Sequence, residues 1–69
     1  MNNGQYLIEI GKKIREIRRA KGIPIQKAAA MTDTYKSSLS EIENGKMNVK
    51  IIQLKKLADL LEVDVKDFL

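Results

Sequence analysis

From Gln5 onward, apolar residues fall at Leu7, Ile10, Ile14 and Ile17, spaced three, four and three apart. That spacing places them on one stripe of an amphipathic helix and puts Lys12, Lys13, Arg15 and Arg19 on the outside. Gly22 suits the left-handed residue that ends a helix, and Pro24 suits the first turn of the next, where a missing N–H costs nothing. The Ala-rich run Ile25 to Met31 predicts a short second helix, its three consecutive small residues inviting close approach by another. Thr32-Asp-Thr34 reads as a turn, in which Asp33 tolerates a left-handed backbone and Thr34 caps the helix that follows. A third helix, from about Tyr35 to Glu43, has apolar residues only at Leu39 and Ile42, and Asn44-Gly45 stops it.

A fourth helix carries Ile51, Leu54, Leu57, Ala58 and Leu61 at helical spacing. A last turn turns Val65 and Phe68 inward, with Asp64 and Asp67 three apart as in a weak capping arrangement. Period-two alternation is missing, so the expected fold is all-α: a compact five-helix domain over residues 5–69, preceded by a flexible arm of residues 1–4.

The third helix holds the chemistry. Its polar face offers Lys36, Ser37, Ser40 and Glu41, four short or hydrogen-bonding side chains in register. Major-groove reading requires a small helix with such a face on a basic domain. The chain has 13 Lys+Arg and 9 Asp+Glu among 69 residues. Residues 1–46 hold nine basic and five acidic side chains, net +4, and residues 47–69 hold four of each. The excess positive charge therefore accompanies the paired second and third helices.

Composition removes most other classes. The sequence contains no cysteine and no histidine, which excludes disulfides, thiolate metal sites and imidazole catalysis, and no cofactor is expected. Ser37, Ser38 and Ser40 have no histidine base, and no Gly-rich phosphate loop exists, so an enzyme is not expected. Three aromatics (Tyr6, Tyr35, Phe68) are too few for a single-strand stacking platform. No apolar run approaches a membrane span and the first residues lack a signal peptide's order, so the expected location is cytoplasmic.

The landmarks Ile10-Gly11, Ile14-Arg15, Arg18, Lys21-Gly22, Ala29, Leu39, Ile42-Glu43-Asn44-Gly45-Lys46, Asn48, Leu54, Leu57-Ala58, Leu61, Val63 and Leu69 stand at fixed spacing. Over Ile10 to Leu69 this pattern resembles the DNA-binding domain of the phage Cro and lambda-type repressors, the xenobiotic-response-element helix-turn-helix family. The chain departs from that pattern in places. Pro24-Ile25 replaces the usual Ser-Gln, leaving Gln26 one place late; Asp33 stands at the turn glycine; Tyr35 replaces the Ser or Thr cap; Val49 stands where proline is common.

The resemblance implies a helix-turn-helix formed by helices two and three, and a transcriptional regulator, a repressor in the first instance. It would bind double-stranded DNA as a homodimer on a pseudo-palindromic operator. Base contacts are implied for Lys36, Ser37 and Glu41, with Ser40 beside them; Glu41 either reads a base donor or pairs with a cation such as Lys36. Phosphate contacts are implied for Gln26, Lys27, Asn44, Lys46 and Asn48. Tyr35 fits a phosphate, a thymine methyl or the edge of the core. Arg18 and Glu43 are implied as a structural ion pair rather than as DNA or catalytic groups. Met47, Ile52 and Val65, left over from the helical stripes, fit a two-fold dimer contact or a ragged core. Two further readings of the same fold remain: an antitoxin-like protein that also binds a toxin or other protein antagonist, and a protein-interaction module.

Overall fold

The computed structural model describes residues 2–69. Four α-helices follow one another: α1 (Asn3–Ala20), α2 (Ile25–Met31), α3 (Lys36–Glu43) and α4 (Ile51–Leu61). A single 3-10 turn, Val65–Phe68, closes the chain. Among the described residues no strand occurs, so the chain is all-α as expected. The fifth helix is only this one turn. Its bonds are of the i→i+3 kind, Asp67 N–H to Asp64 O at 2.9 Å and Leu69 N–H to Lys66 O at 3.1 Å. Asp64 and Asp67 form a reciprocal capping box that starts the turn.

The amino-terminal residues differ from the expected loose arm. Asn2 accepts from the Gln5 N–H at 2.9 Å, and the Gln5 side chain accepts from the Asn2 N–H at 3.0 Å. That box starts α1 at Asn3, so residues 2–4 belong to the helix or its cap; Met1 lies outside the described residues. The polarity that suggested an arm is the polarity of a helix start.

All four α-helices end in the same way. Beyond each last turn one residue takes a left-handed backbone: Gly22 (φ 70), Asp33 (φ 56), Gly45 (φ 73) and Glu62 (φ 58). Each is followed by a residue whose N–H reaches back to a carbonyl of the last turn. The four bonds are Ile23 to Arg18, Thr34 to Ala29, Lys46 to Glu41 and Val63 to Ala58, at 2.9–3.2 Å. These are Schellman motifs, which satisfy the last carbonyls and turn the chain sharply. They let 69 residues fold around one core.

The core is built from Ile14 of α1, Leu39 and Ile42 of α3, Leu57 and Leu61 of α4, and Phe68, all with side chains fully buried. Ala28 and Ala29 are buried where α2 meets α3, whereas Ala30 faces out. Ile51 leaves its predicted place: it is 65% exposed. It has the azimuth of Ala58 but stands at the first residue of α4, beyond the reach of the core. The helix α1 lies across the back of α3, α4 and the terminal turn.

Gly11 makes that packing possible. A Cβ there would fall onto the Ile42 carbonyl oxygen and 2.7 Å from that of Glu43. Gly45 is as constrained, since its Cβ would lie 2.7 Å from Ile8 Cα, while a Cβ at Gly22 would meet nothing. Alanine substitutions separate the two effects. Gly22→Ala should cost about 1–2 kcal/mol, the left-handed backbone alone. Gly45→Ala should add ~1–3 kcal/mol of overpacking against Ile8. Thermal unfolding followed by circular dichroism checks the order; equal losses would mean that Ile8 yields to the added methyl.

Candidate nucleic-acid interface

The helix α3 is 8 residues long, too short to persist alone in water, where isolated helices under about 12–15 residues are marginal. Its N-cap is Tyr35, not the expected Thr34, and no side chain caps it. Its orientation is fixed instead from the C-terminal end. Arg18 donates from Nε to Glu43 Oε2 at 2.6 Å and from Nη2 to Glu43 Oε1 at 2.9 Å. A third donor, Nη1, reaches the Ile23 carbonyl at 2.9 Å. Both side chains are buried, 9% and 4% exposed. Two parallel charge-assisted bonds fix distance and angle together, and the Glu43 carboxylate raises the Arg18 pKa above its ordinary value. The pair belongs to the frame and is turned away from solvent.

Arg15 adds to this anchor, although the helical stripe alone places it outside. It is half-buried, and its Nη2 donates to the Glu43 carbonyl at 3.0 Å and to Asn44 Oδ1 at 2.8 Å. Its signal in the sequence is position: three residues before Arg18, it shares the face of α1 that meets α3. The Asn44 Nδ2 donates to the Ser40 carbonyl at 2.9 Å. Asn44 is thus a C-terminal cap of α3 with both ends of its amide engaged, a different placement from a free phosphate donor.

With Leu39, Ile42 and Glu43 buried, the opposite face of α3 is fixed. Lys36, Ser37 and Glu41 are exposed and Ser40 is half-exposed. Four polar side chains therefore share one outward surface. Among the described residues Glu41 forms no ion pair, with Lys36 or otherwise. Tyr35 is 80% exposed at the N-terminal end of the same helix, so it does not cover the core. Gln26, Lys27, Lys46 and Asn48 are exposed on α2 and on the loop after α3. Lys46 is held there by the Schellman bond of its N–H to the Glu41 carbonyl at 2.9 Å.

The leftover apolar residues separate. Met47 and Ile52, 37% and 63% exposed, line one open groove of about 340 Å³ between the 32–34 turn and the start of α4. Val65 lies apart from them, half-buried against the core. Ile51 is the apolar residue that stripe-reading assigned to the core and that the surface instead displays beside Ile52. On the groove's rim Lys56 Nζ donates to Asp33 Oδ2 at 2.9 Å, tying the turn between α2 and α3 to α4. That hydrogen bond lowers the Asp33 pKa. Both groups are well exposed, so the bridge adds little to stability.

Among the described residues no group of acidic side chains could hold a metal ion, and no helix is long and apolar enough to cross a membrane.

Comparison with known proteins agrees with this geometry. Residues 14–68 match the profile of the helix-turn-helix family HTH_3. The control protein C.BamHI of Bacillus amyloliquefaciens is 35% identical over 70 residues, covering 100% of this chain and 85% of that protein. The crystal structure of the restriction-modification controller protein C.AhdI from Aeromonas hydrophila superposes with a TM-score of 0.87 at 28% identity, over 91% of this chain and 96% of that one. The DNA-binding domain of BldD superposes with a TM-score of 0.84 at 25% identity, over 100% and 99%.

The Arg18 assignment has a direct consequence. Arg18→Met strands Glu43 in the interior and should cost ~3–5 kcal/mol. That is well over 10 °C in melting temperature for a domain of this size, at ~4–8 °C per kcal/mol. Arg19→Met removes an exposed charge and should shift it by only a degree or two. Adding Glu43→Leu to Arg18→Met should recover part of the loss. Equal melting points for the two single variants would return Arg18 to the outer surface.

Proposed function

This chain belongs to the helix-turn-helix HTH_3 family of DNA-binding transcriptional regulators, and we propose that it acts in the cytoplasm as a homodimeric repressor on a pseudo-palindromic operator. The observation that carries the reading is the fixed outward face of α3. Lys36, Ser37, Ser40 and Glu41 stand together on a short helix whose other side is locked by the Arg18–Glu43 pair.

In this reading α3 enters the major groove. Lys36 donates to guanine O6 and N7, Ser37 donates or accepts, and Glu41, free of a cation partner, accepts from cytosine N4. Lys46, Lys27, Gln26, Asn48 and Tyr35 hold the phosphates on either side and set the register of the protein on the duplex. Asn44 contributes mainly by shaping the turn that presents Lys46. Two relatives that this chain covers almost whole are a control protein and the controller protein of a restriction-modification system. That supports a regulator of the controller kind, ahead of the alternative of an antitoxin-type protein of the same fold that also binds a toxin.

For the dimer the exposed residues Met47, Ile51 and Ile52 support a two-fold seam at the start of α4. They lie in the electrically neutral third of the chain, where two like-charged copies approach at least cost. Val65, already packed against the core and apart from these residues, is left out of that seam. A two-fold pair presents its two α3 helices to successive major grooves about 34 Å apart. In-vitro selection of DNA sites tests the whole reading, because a recovered motif without two-fold symmetry would exclude the dimer on DNA.

Two sets of variants test its parts. Lys36→Ala and Ser37→Ala should change which bases are preferred, by ~1–3 kcal/mol of discrimination per contact. Lys46→Ala should weaken binding to every sequence and lower the salt slope by about one. Altered preference with an unchanged salt slope for Lys46→Ala would reverse the orientation of α3. Ile52→Asp places a charge in the seam at a position already exposed in the single chain. It should leave the circular dichroism intact and abolish cooperative binding to a two-half-site operator. Wild-type protein that fills half-sites independently at any spacing would remove the dimer.

A further inference from the structure

The sequence holds two Asn-Gly pairs, Asn3-Gly4 and Asn44-Gly45, and the fold treats them in opposite ways. Asn-Gly is the dipeptide most open to spontaneous cyclisation, since glycine leaves the attacking backbone nitrogen unshielded. The Gly45 nitrogen loses its proton to solvent base and forms a bond to Asn44 Cγ, and Nδ2 departs as ammonia. Water then opens the succinimide at either carbonyl, leaving aspartate or isoaspartate. The net change is uptake of one water and release of one ammonia, with no oxidant or enzyme required.

We infer that Asn44-Gly45 is a latent self-modification site, kept unreacted by the hydrogen bonds at the C-terminal end of α3. Three bonds oppose the reaction, one from α1 and two within α3 and its turn. Arg15 Nη2 holds Asn44 Oδ1 at 2.8 Å, the Ser40 carbonyl holds Nδ2 at 2.9 Å, and the Gly45 N–H is engaged by the Ile42 carbonyl at 3.1 Å. The Asn44 backbone is fixed at ψ 2, with Gly45 at φ 73 against Ile8. Cyclisation has to swing the Gly45 nitrogen behind Cγ, which breaks the Schellman turn and lifts Gly45 off Ile8. At Asn3-Gly4 the restraint is weaker, a single exposed capping box between Asn2 and Gln5 at the N-terminal end of α1. Asn3 is exposed at the first residue of α1, its side chain makes no hydrogen bond to another described residue, and the Gly4 N–H is among the amides that a helix start leaves unpaired.

The two conversions also differ in effect. A carboxylate at position 3 sits at the positive end of the α1 dipole, where it is favourable. A carboxylate at position 44 sits at the negative end of α3, loses its donor to Ser40, and lies two residues before Lys46. An isoaspartate there adds a backbone atom inside a turn that Gly45 already fills. On the DNA-facing surface proposed above, a consequence that rests on that reading, a new negative charge repels phosphate. One unit-charge repulsion at ~4 Å in bulk water corresponds to about fivefold in affinity.

The test is incubation of the full chain in mildly alkaline buffer, with and without urea, followed by peptide mapping with mass detection at both sites. In buffer Asn3, at a helix end that frays readily, should convert faster than Asn44 by at least about tenfold, because Asn44 must wait for a larger local opening. In urea the two rates should converge. Arg15→Met, held below its melting transition, should raise the Asn44 rate relative to Asn3 in the same molecule. Equal rates at the two sites in native wild-type protein would overturn the inference. So would a slower Asn44 in Arg15→Met, which would make Arg15 an activator of Cγ. Asn44→Asp should bind a selected operator about fivefold more weakly than wild type, and equal affinity would remove the functional consequence. Wild-type chain that bound no DNA would count against the proposed function, while the conversion rates, which need no DNA, would still decide the protection.

Discussion

The bidentate pair between Arg18 and Glu43 is the constraint on which the rest of the molecule depends. It joins the longest of the four helices to the end of α3. Its value lies less in net stability than in geometry, since burying two charges is costly and the attraction between them does little more than offset that cost. What it fixes is the rotation of α3. Glu43 turned inward places Leu39 and Ile42 in the core, and the remaining side chains have only the outside left to them. Gly11 and Arg15 complete the joint. One removes the side chain that would hold the helices apart, and the other ties off the last carbonyl and the capping amide.

The Schellman endings solve a second problem. A chain this short has few residues to spend on loops, and each connection must reverse direction while leaving no carbonyl unpaired. Glycine supplies the left-handed residue at Gly22 and Gly45, where it carries no steric penalty. Asp33 and Glu62 adopt the same backbone at some cost in strain. At Asp33 the side chain also reaches Lys56 of α4, an exposed contact too weak to offset that strain by itself. The departure from the family's turn glycine is tolerated chiefly because aspartate enters the left-handed region more readily than most residues.

Much of this was legible in the residues. Spacing located all four α-helices, the glycines and Asp33 marked three of their ends, and the polar face of α3 was plain from Leu39 and Ile42 alone. What escaped has physical reasons. Asn2 and Gln5 are a capping pair that reads as a polar arm until its reciprocal bonds are seen. Ile51 has the correct azimuth, but periodicity says nothing of position along the axis, and the core ends before it. Arg15 lies at the boundary of its stripe, where burial depends on how closely α1 and α3 approach. That distance is set by a glycine on one helix and carbonyls on the other. Left-handed Glu62 carries no local signal, because nothing in a glutamate announces that backbone.

The length of α3 bears on energetics beyond its own turn. Eight residues do not sustain a helix by themselves, so the outward face exists only while α1, α4 and the terminal turn hold it. Recognition and global folding are then a single linked equilibrium. Any ligand that grips this face binds only the native ensemble, and by mass action it must raise the unfolding free energy by RT ln(1 + [L]/Kd). Because the helix is already formed in the free chain, little ordering entropy is lost on binding. For DNA bound as proposed, the free energy of association would fall chiefly to displaced counterions and to the groove contacts themselves.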